Sequence, residues 1–115
     1  MANAKPRLGA GNVEIVLDGE TVALRPTLKA AQTLSRQTDG LMGAIERVTR
    51  FDLDTITSVV ALGTGRDVKE VADAVWRTGV SDLAPHAIKY LGILANGGRP
   101  ADGSGGEEDA DPRNA

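Results

Sequence analysis

The sequence predicts an α+β protein in which an N-terminal β-hairpin packs on a bundle of four to five short α-helices. Three observations support this fold class. Two runs of alternating apolar residues flank Asp18-Gly19, a pair that accepts the positive φ angles of a two-residue hairpin turn. Apolar residues then recur at helical spacing between residues 28 and 96. Because an isolated hairpin is marginally stable in water, its apolar face is expected to pack on those helices.

Residues 12–25 form the predicted hairpin, and the alternation of its residues fixes the pairing register. With the turn at residues 18 and 19, Leu17 pairs with Glu20 and the other pairs follow in order away from the turn. Side chains alternate between the two faces of a strand, so this register decides which residues share a face. The face toward the helices holds Val13, Ile15, Val22 and Leu24, and the outer face holds Glu14, Val16, Thr21 and Ala23.

Five helical segments follow the hairpin, at about residues 28–38, 41–49, 53–63, 67–78 and 82–96. Apolar residues recur three and four positions apart in each segment, which predicts one buried stripe per helix. In chain order, the stripes are Leu28, Ala31 and Leu34; Leu41, Ala44, Ile45 and Val48; Leu53, Ile56, Val59, Val60 and Gly63; Val68, Val71, Ala72, Val75 and Trp76; and Leu83, Ala87, Tyr90, Leu91 and Leu94.

The helix starts carry residues that cap helices. Thr27 is the predicted N-cap of the first helix and Asp52 that of the third. Asp67 and Glu70 have the spacing of a capping box at the start of the fourth. Gly43 is expected to weaken the second helix by about 1 kcal/mol relative to alanine.

The start of the last helix follows from its turn residues. Gly79 is suited to end the fourth helix, because glycine readily adopts the left-handed conformation found after a helix C-terminus. Ser81 or Asp82 then begins the fifth helix, which places Pro85 within the first turn, where its missing N–H is tolerated.

The two ends of the chain differ from the single domain predicted over residues 12–96. Residues 1–11 show no periodic apolar pattern and predict a flexible arm. Residues 97–115 are rich in glycine and acidic residues and contain no large apolar residue, which predicts a disordered tail. The whole net charge of −3 lies in that tail, so residues 1–96 are neutral. A neutral body with an acidic tail is a poor match for the phosphates of a nucleic acid.

The composition limits both chemistry and location. Cysteine is absent, which excludes disulfides and thiolate metal sites and favours the cytosol. No apolar run approaches the roughly 20 residues that span a bilayer, and the N-terminal stretch lacks the apolar centre of a signal peptide. The sequence therefore predicts a cytoplasmic protein with no membrane partner.

Three groups of residues have a chemical interpretation and a simpler structural one. His86 is the only histidine, and a surface position early in a helix is favoured over catalysis or metal binding. Asp52 and Asp54 lack the ligand spacing of a calcium loop and are better explained by the helix dipole. Residues 63–66 (GTGR) follow a helix and lack the end of a phosphate loop, so they predict a turn between helices.

The segment around Gly79 also invites a helix-turn-helix interpretation. Ala72 lies farther before the glycine than in that motif, and only His86 and Lys89 in the following helix could contact DNA. DNA binding is therefore disfavoured. Trp76 could be an interface anchor, but its place on the apolar stripe favours packing in the core.

The order of elements resembles the small tail-assembly proteins of siphophages and gene transfer agents. The resemblance is carried by GNVEIVLDGETVALRPTLKAAQTL, a hairpin that runs directly into a helix, and by the hinge LGTGRDVKEVADAV. It covers about residues 11–95. The resemblance implies a non-enzymatic tail-assembly chaperone or adaptor whose partners are the tape-measure protein, the tail-tube protein or both. It implies no catalytic residue, cofactor or metal, and a place in the cytoplasm of the bacterial host.

The alternatives are a structural tail-tube or minor tail component that stays in the particle and, less favoured, a DNA-binding regulator; enzymatic activity ranks last. The oligomeric state is left open. For a chaperone or adaptor, the hairpin offers edge strands that can accept another strand, and the helices offer apolar stripes for a partner helix. The predicted partner surface comprises Val16, Thr21, Ala23, Trp76 and Tyr90.

Overall fold

The computed structural model describes residues 11–100, in which a two-stranded antiparallel ribbon packs against five helices. This arrangement confirms the predicted α+β fold class. The elements in chain order are β1 (Val13–Leu17), β2 (Glu20–Leu24), α1 (Leu28–Thr38), α2 (Leu41–Thr49), α3 (Leu53–Thr64), α4 (Val68–Thr78) and α5 (Val80–Ala95).

The ribbon has the predicted register from Leu17 opposite Glu20 to Val13 opposite Leu24. Asp18 and Gly19 have φ angles of 52° and 87°, and positive values at both turn residues are those of a type I′ turn. The face toward the helices is apolar, as predicted. It also includes Leu17, which the alternation of β1 places on the same side.

The ribbon lies close to the helices, with β2 on α3 and β1 on α4 and α5. Gly63 in α3 makes this possible, because a Cβ there would lie 2.9 Å from the Cβ of Leu24. The Arg25 N–H donates to the Gly63 carbonyl at 2.8 Å, and the Tyr90 hydroxyl donates to the Arg25 carbonyl at 2.7 Å. The end of β2 is therefore tied to both α3 and α5.

The core between ribbon and helices is almost entirely aliphatic, and Tyr90 is its only aromatic side chain within residues 11–100. Its largest fully buried residues come from the ribbon and all five helices: Tyr90, Leu24, Leu34, Ile56, Leu91, Val48, Val59, Val60, Val71 and Val75.

The helix caps follow the predictions with one difference. The Thr27 hydroxyl accepts from the Ala30 N–H at 3.0 Å, and Asp67 with Glu70 forms the capping box. Asp52 is at the N-cap of α3, but its carboxylate accepts from the Thr55 hydroxyl at 2.6 Å and makes no bond to the helix backbone.

Gly43 has a packing role beyond its expected cost to α2. A Cβ at this position would overlap the carbonyl oxygen of Thr38, at the end of α1. The glycine therefore lets α2 begin directly against α1.

Several predicted stripe positions are exposed. Leu28, Val68 and Trp76 lie at the margins of their helices' apolar stripes and are more than half exposed, and Leu53 is 39% exposed. The width of the buried face differs between helices: α2 and α4 bury only two residues each, whereas α3 and α5 bury seven each.

The last helix begins at Val80, earlier than the predicted Ser81 or Asp82. Pro85 is therefore its sixth residue and not in the first turn, which corrects the prediction. Its missing N–H would have bonded to the carbonyl of Ser81. Both residues are exposed, so water can reach that carbonyl.

The ends of the domain extend past the predicted limits. Residues 1–10 of the predicted arm and 101–115 of the predicted tail lie outside the described residues. Gly11 is buried, and the N–H groups of Gly97 and Gly98 donate to carbonyls at the end of α5. The Asn96 side chain also donates to the Pro100 carbonyl at 3.0 Å. Residues 97–100, which the sequence assigns to the predicted tail, therefore contact the end of α5.

Candidate binding surfaces

The outer face of the ribbon brings together three residues of the predicted partner surface. Val16 is 58% exposed and lies directly opposite Thr21, which is also exposed. Ala23 is half-buried and follows Thr21 on the same face. These residues form a small, weakly apolar surface.

Trp76 lies on the surface and not in the core, which corrects the favoured interpretation of this residue. Its side chain is 72% exposed, whereas Val71 and Val75 of the same helix are fully buried. The buried face of α4 is therefore centred on the two valines. Val68, Ala72 and Trp76 follow at intervals of four and form an apolar row at the margin of that face, called here the α4 row.

Tyr90 does not belong to the partner surface. Its side chain is fully buried, and its hydroxyl is used by the bond to the Arg25 carbonyl. Burial raises the pKa of this phenol to about 12. Tyr90 therefore holds the ribbon on α5 and has no contact with solvent that a partner could use.

A groove of about 600 Å³ runs between β1 and the first turns of α5. Ile15 and Leu83, both nearly fully buried, form its floor. Its far wall carries Asp82 and His86, one helical turn apart on α5. Grooves of this volume fall within the range of about 300–1,000 Å³ typical of ligand sites.

The turn of the hairpin closes one end of this groove. The Asp18 N–H donates to the Thr78 hydroxyl at 2.7 Å, and the Arg77 guanidinium donates twice to the Asp18 carboxylate, at 3.1 and 2.8 Å. Hydrogen bonding by Arg77 lowers the pKa of Asp18, and Asp18 in turn raises the pKa of Arg77. Two neighbouring residues at the end of α4 thus hold the ribbon turn.

The residues with a possible chemical role do not converge on one site. His86 is exposed early in α5, as predicted for a surface residue. Asp52 pairs with Thr55 and lies 3.8 Å from Arg47. Within residues 11–100, no three His, Asp or Glu side chains cluster in a way that could hold a metal ion.

The two segments with alternative motif interpretations form turns. Gly65 has a φ of 75° and ends α3, so the turn predicted over residues 63–66 begins at residue 65, and residues 63 and 64 still belong to the helix. Gly79 is the only residue between α4 and α5. A helix-turn-helix joins its helices by a turn of about 3–4 residues, which this junction lacks.

The sequence does not indicate the groove beside β1. The hairpin register places Glu14 on the outer face, but nothing in the sequence pairs it with Asp82 or Leu83, almost 70 positions away. The only signal was the free strand edge. Which helix lies beside that edge depends on the packing of the whole domain.

Comparisons of the chain with protein-family models, curated proteins and solved structures find no significant match. The resemblance to tail-assembly proteins therefore stays a prediction. Within residues 11–100, no helix combines the length and the apolar character needed to cross a bilayer.

Proposed function

We propose that this protein is a non-enzymatic assembly chaperone or adaptor of a phage or gene transfer agent tail. In this proposal it holds a segment of the tape-measure or tail-tube protein while the tail assembles. The resemblance over residues 11–95 suggests the biological setting, and the exposure of Trp76 supports binding as the mode of action.

The exposed Trp76 is the observation that carries the proposal. Tryptophan is enriched among the residues that dominate binding energy at protein interfaces, because it buries a large area with few rotatable bonds. The α4 row extends this apolar surface along about two turns of helix. An amphipathic helix of a long partner could pack along such a row.

Co-expression with the tape-measure protein tests the proposal. The wild-type protein should raise the soluble yield of that partner and co-purify with it, and Trp76→Ala should reduce both. Met42→Ala is the matched control, because Met42 is 68% exposed but lies on α2, outside the α4 row. No gain in soluble partner and no co-purification would refute the chaperone function.

A structural role in the particle is the second candidate, and the exposed edge of the two-stranded ribbon favours it. Sheet edges can pair between subunits when proteins assemble. Mass spectrometry of purified particles separates the two functions. A chaperone should be missing from finished particles, whereas a tail-tube subunit should be present in many copies.

A further inference from the structure

We propose that the groove between β1 and α5 binds an extended segment of a partner protein, in which basic and apolar residues alternate, as a third strand on β1. This site goes beyond the proposed function. It does not involve Trp76 and requires no particular biological partner.

The free edge of β1 supplies the backbone part of this site. In a hairpin with a two-residue turn, Leu17 and Glu20 form a hydrogen-bonded pair, and hydrogen-bonded and non-hydrogen-bonded pairs then alternate. The N–H and C=O groups of Glu14 and Val16 therefore point away from β2, toward the groove. Neither residue's backbone bonds to any other residue of the described range outside the ribbon. An added strand would satisfy these groups.

The shape of the groove suits one strand. Its length along β1, from Glu14 to Asp18, accommodates about four extended residues at roughly 3.3 Å each. Side chains of the added strand would alternate between the floor, at Ile15 and Leu83, and the outer face. The Asp18 turn, held by α4, closes one end.

The charge of the groove selects the occupant. Its ionisable lining residues are Glu14, Asp18, Asp82 and His86, and no Lys or Arg lines it. Asp18 pairs with Arg77, whereas the Glu14 and Asp82 carboxylates form no ion pair within residues 11–100. A basic residue opposite Glu14 would form a favourable cross-strand pair, and an apolar residue opposite Val16 would cover that exposed side chain. A second copy of this chain is disfavoured, because pairing β1 with β1 would bring two acidic grooves together.

The probe is a blocked hexapeptide of alternating lysine and valine, with an alternating glutamate and valine peptide as control. Binding is followed by nuclear magnetic resonance of the full chain. The lysine peptide should shift the Glu14 and Val16 amide signals saturably and slow their hydrogen exchange. The amide of Ala23, which lies on the opposite edge and outside the groove lining, should keep its exchange rate. The glutamate peptide should bind roughly tenfold or more weakly, as expected when like charges face each other.

Two kinds of variant test the edge and the charge separately. Val16→Pro removes one outward N–H without touching the ribbon ladder and should abolish binding, whereas the matched Ala23→Pro should not. Glu14→Lys leaves the backbone groups of the β1 edge in place and should lower the affinity for the lysine peptide roughly tenfold. This substitution lies at an exposed position, so it also serves as the test if Val16→Pro fails to fold.

Three results would overturn the proposal. The first is equal peptide affinity for Glu14→Lys and the wild type. The second is slow exchange of the Glu14 and Val16 amides in the monomer without peptide, which would mean that the chain covers its own edge. The third is protection that grows with protein concentration alone, which would mean that a second copy occupies it. Trp76→Ala should bind the peptide with wild-type affinity, so failure of the chaperone function would leave this test intact.

Discussion

The close contact between Gly63 and β2 makes alanine at this position a sharp test of the fold. An added Cβ would lie 2.9 Å from the Leu24 Cβ and 3.0 Å from its Cα. Carbon atoms in good contact are about 3.5–4.0 Å apart, so the ribbon would have to move by roughly 1 Å. That movement would strain the bond from the Arg25 N–H to the Gly63 carbonyl, which is 2.8 Å long.

The expected magnitude is the difference between two effects. Overpacking a core costs about 1–3 kcal/mol, and replacing a helical glycine by alanine returns about 0.5–1 kcal/mol. Gly63→Ala should therefore lower the free energy of unfolding by up to about 2.5 kcal/mol. For a domain of this size, each kcal/mol corresponds to a fall in Tm of about 4–8 °C.

Gly92→Ala is the matched control. Gly92 lies inside α5, and a Cβ there would have no neighbouring atom within 4 Å. The same substitution should therefore raise stability by about 0.5–1 kcal/mol. Thermal and urea unfolding followed by circular dichroism measure both variants, since the exposed Trp76 makes fluorescence a poor reporter of the core. Equal stability of the two variants, or a stabilised Gly63→Ala, would refute the docking of β2 on α3.

Three further predictions concern single side chains. Tyr90 should contribute fully to stability below the ordinary tyrosine pKa of about 10, and this contribution should be lost as pH rises toward about 12. Tyr90→Phe should flatten that alkaline loss and cost about 1 kcal/mol through the lost bond to Arg25; tyrosinate absorbance reports the titration directly, because the chain has one tyrosine. The lowered pKa of Asp18 predicts stability that is complete above about pH 4 and is lost as pH falls through the folded-state value. Asp18→Asn, which keeps the turn conformation, should remove that part of the acid dependence in urea titrations across pH, and an unchanged profile would contradict the Arg77 contact. Trp76→Ala should change the unfolding free energy by less than about 0.5 kcal/mol. A loss above about 2 kcal/mol would mean that Trp76 packs in the core.

The features predicted correctly from the sequence are those set by near neighbours in the chain. Asp18-Gly19 fixes the turn, the turn fixes the register, and Thr27 caps the helix that follows. Each involves residues within about ten positions of one another, whose geometry depends little on the rest of the fold.

The features that sequence reasoning missed depend on distant parts of the chain. The row of Val68, Ala72 and Trp76 has the spacing of a core stripe, but nothing in that spacing says how wide a face the neighbouring helices can cover. The sequence presents Gly43 as a weak point of its helix and Gly63 as one position of a buried stripe, and the close approach of Thr38 and Leu24 to these glycines is known only from the structure. The two proposed binding surfaces also depend on the packing of distant elements, because they consist of the residues that this packing leaves exposed.

The two proposed surfaces meet at the end of α4. Trp76 belongs to the α4 row, and Arg77 and Thr78, the next two residues, hold the Asp18 turn that closes the groove. A single partner with a helix followed by an extended basic stretch could therefore occupy both surfaces. Its second contact would form at the high effective concentration set by a short linker, which can raise affinity by about 10²–10⁴ over either contact alone. For such a partner, Trp76→Ala and Glu14→Lys should each cause a large loss of affinity, and the double variant should lose less than the sum of the two in free energy. A loss of affinity in only one of the two single variants, measured by isothermal titration calorimetry, would mean that the partner occupies one surface alone.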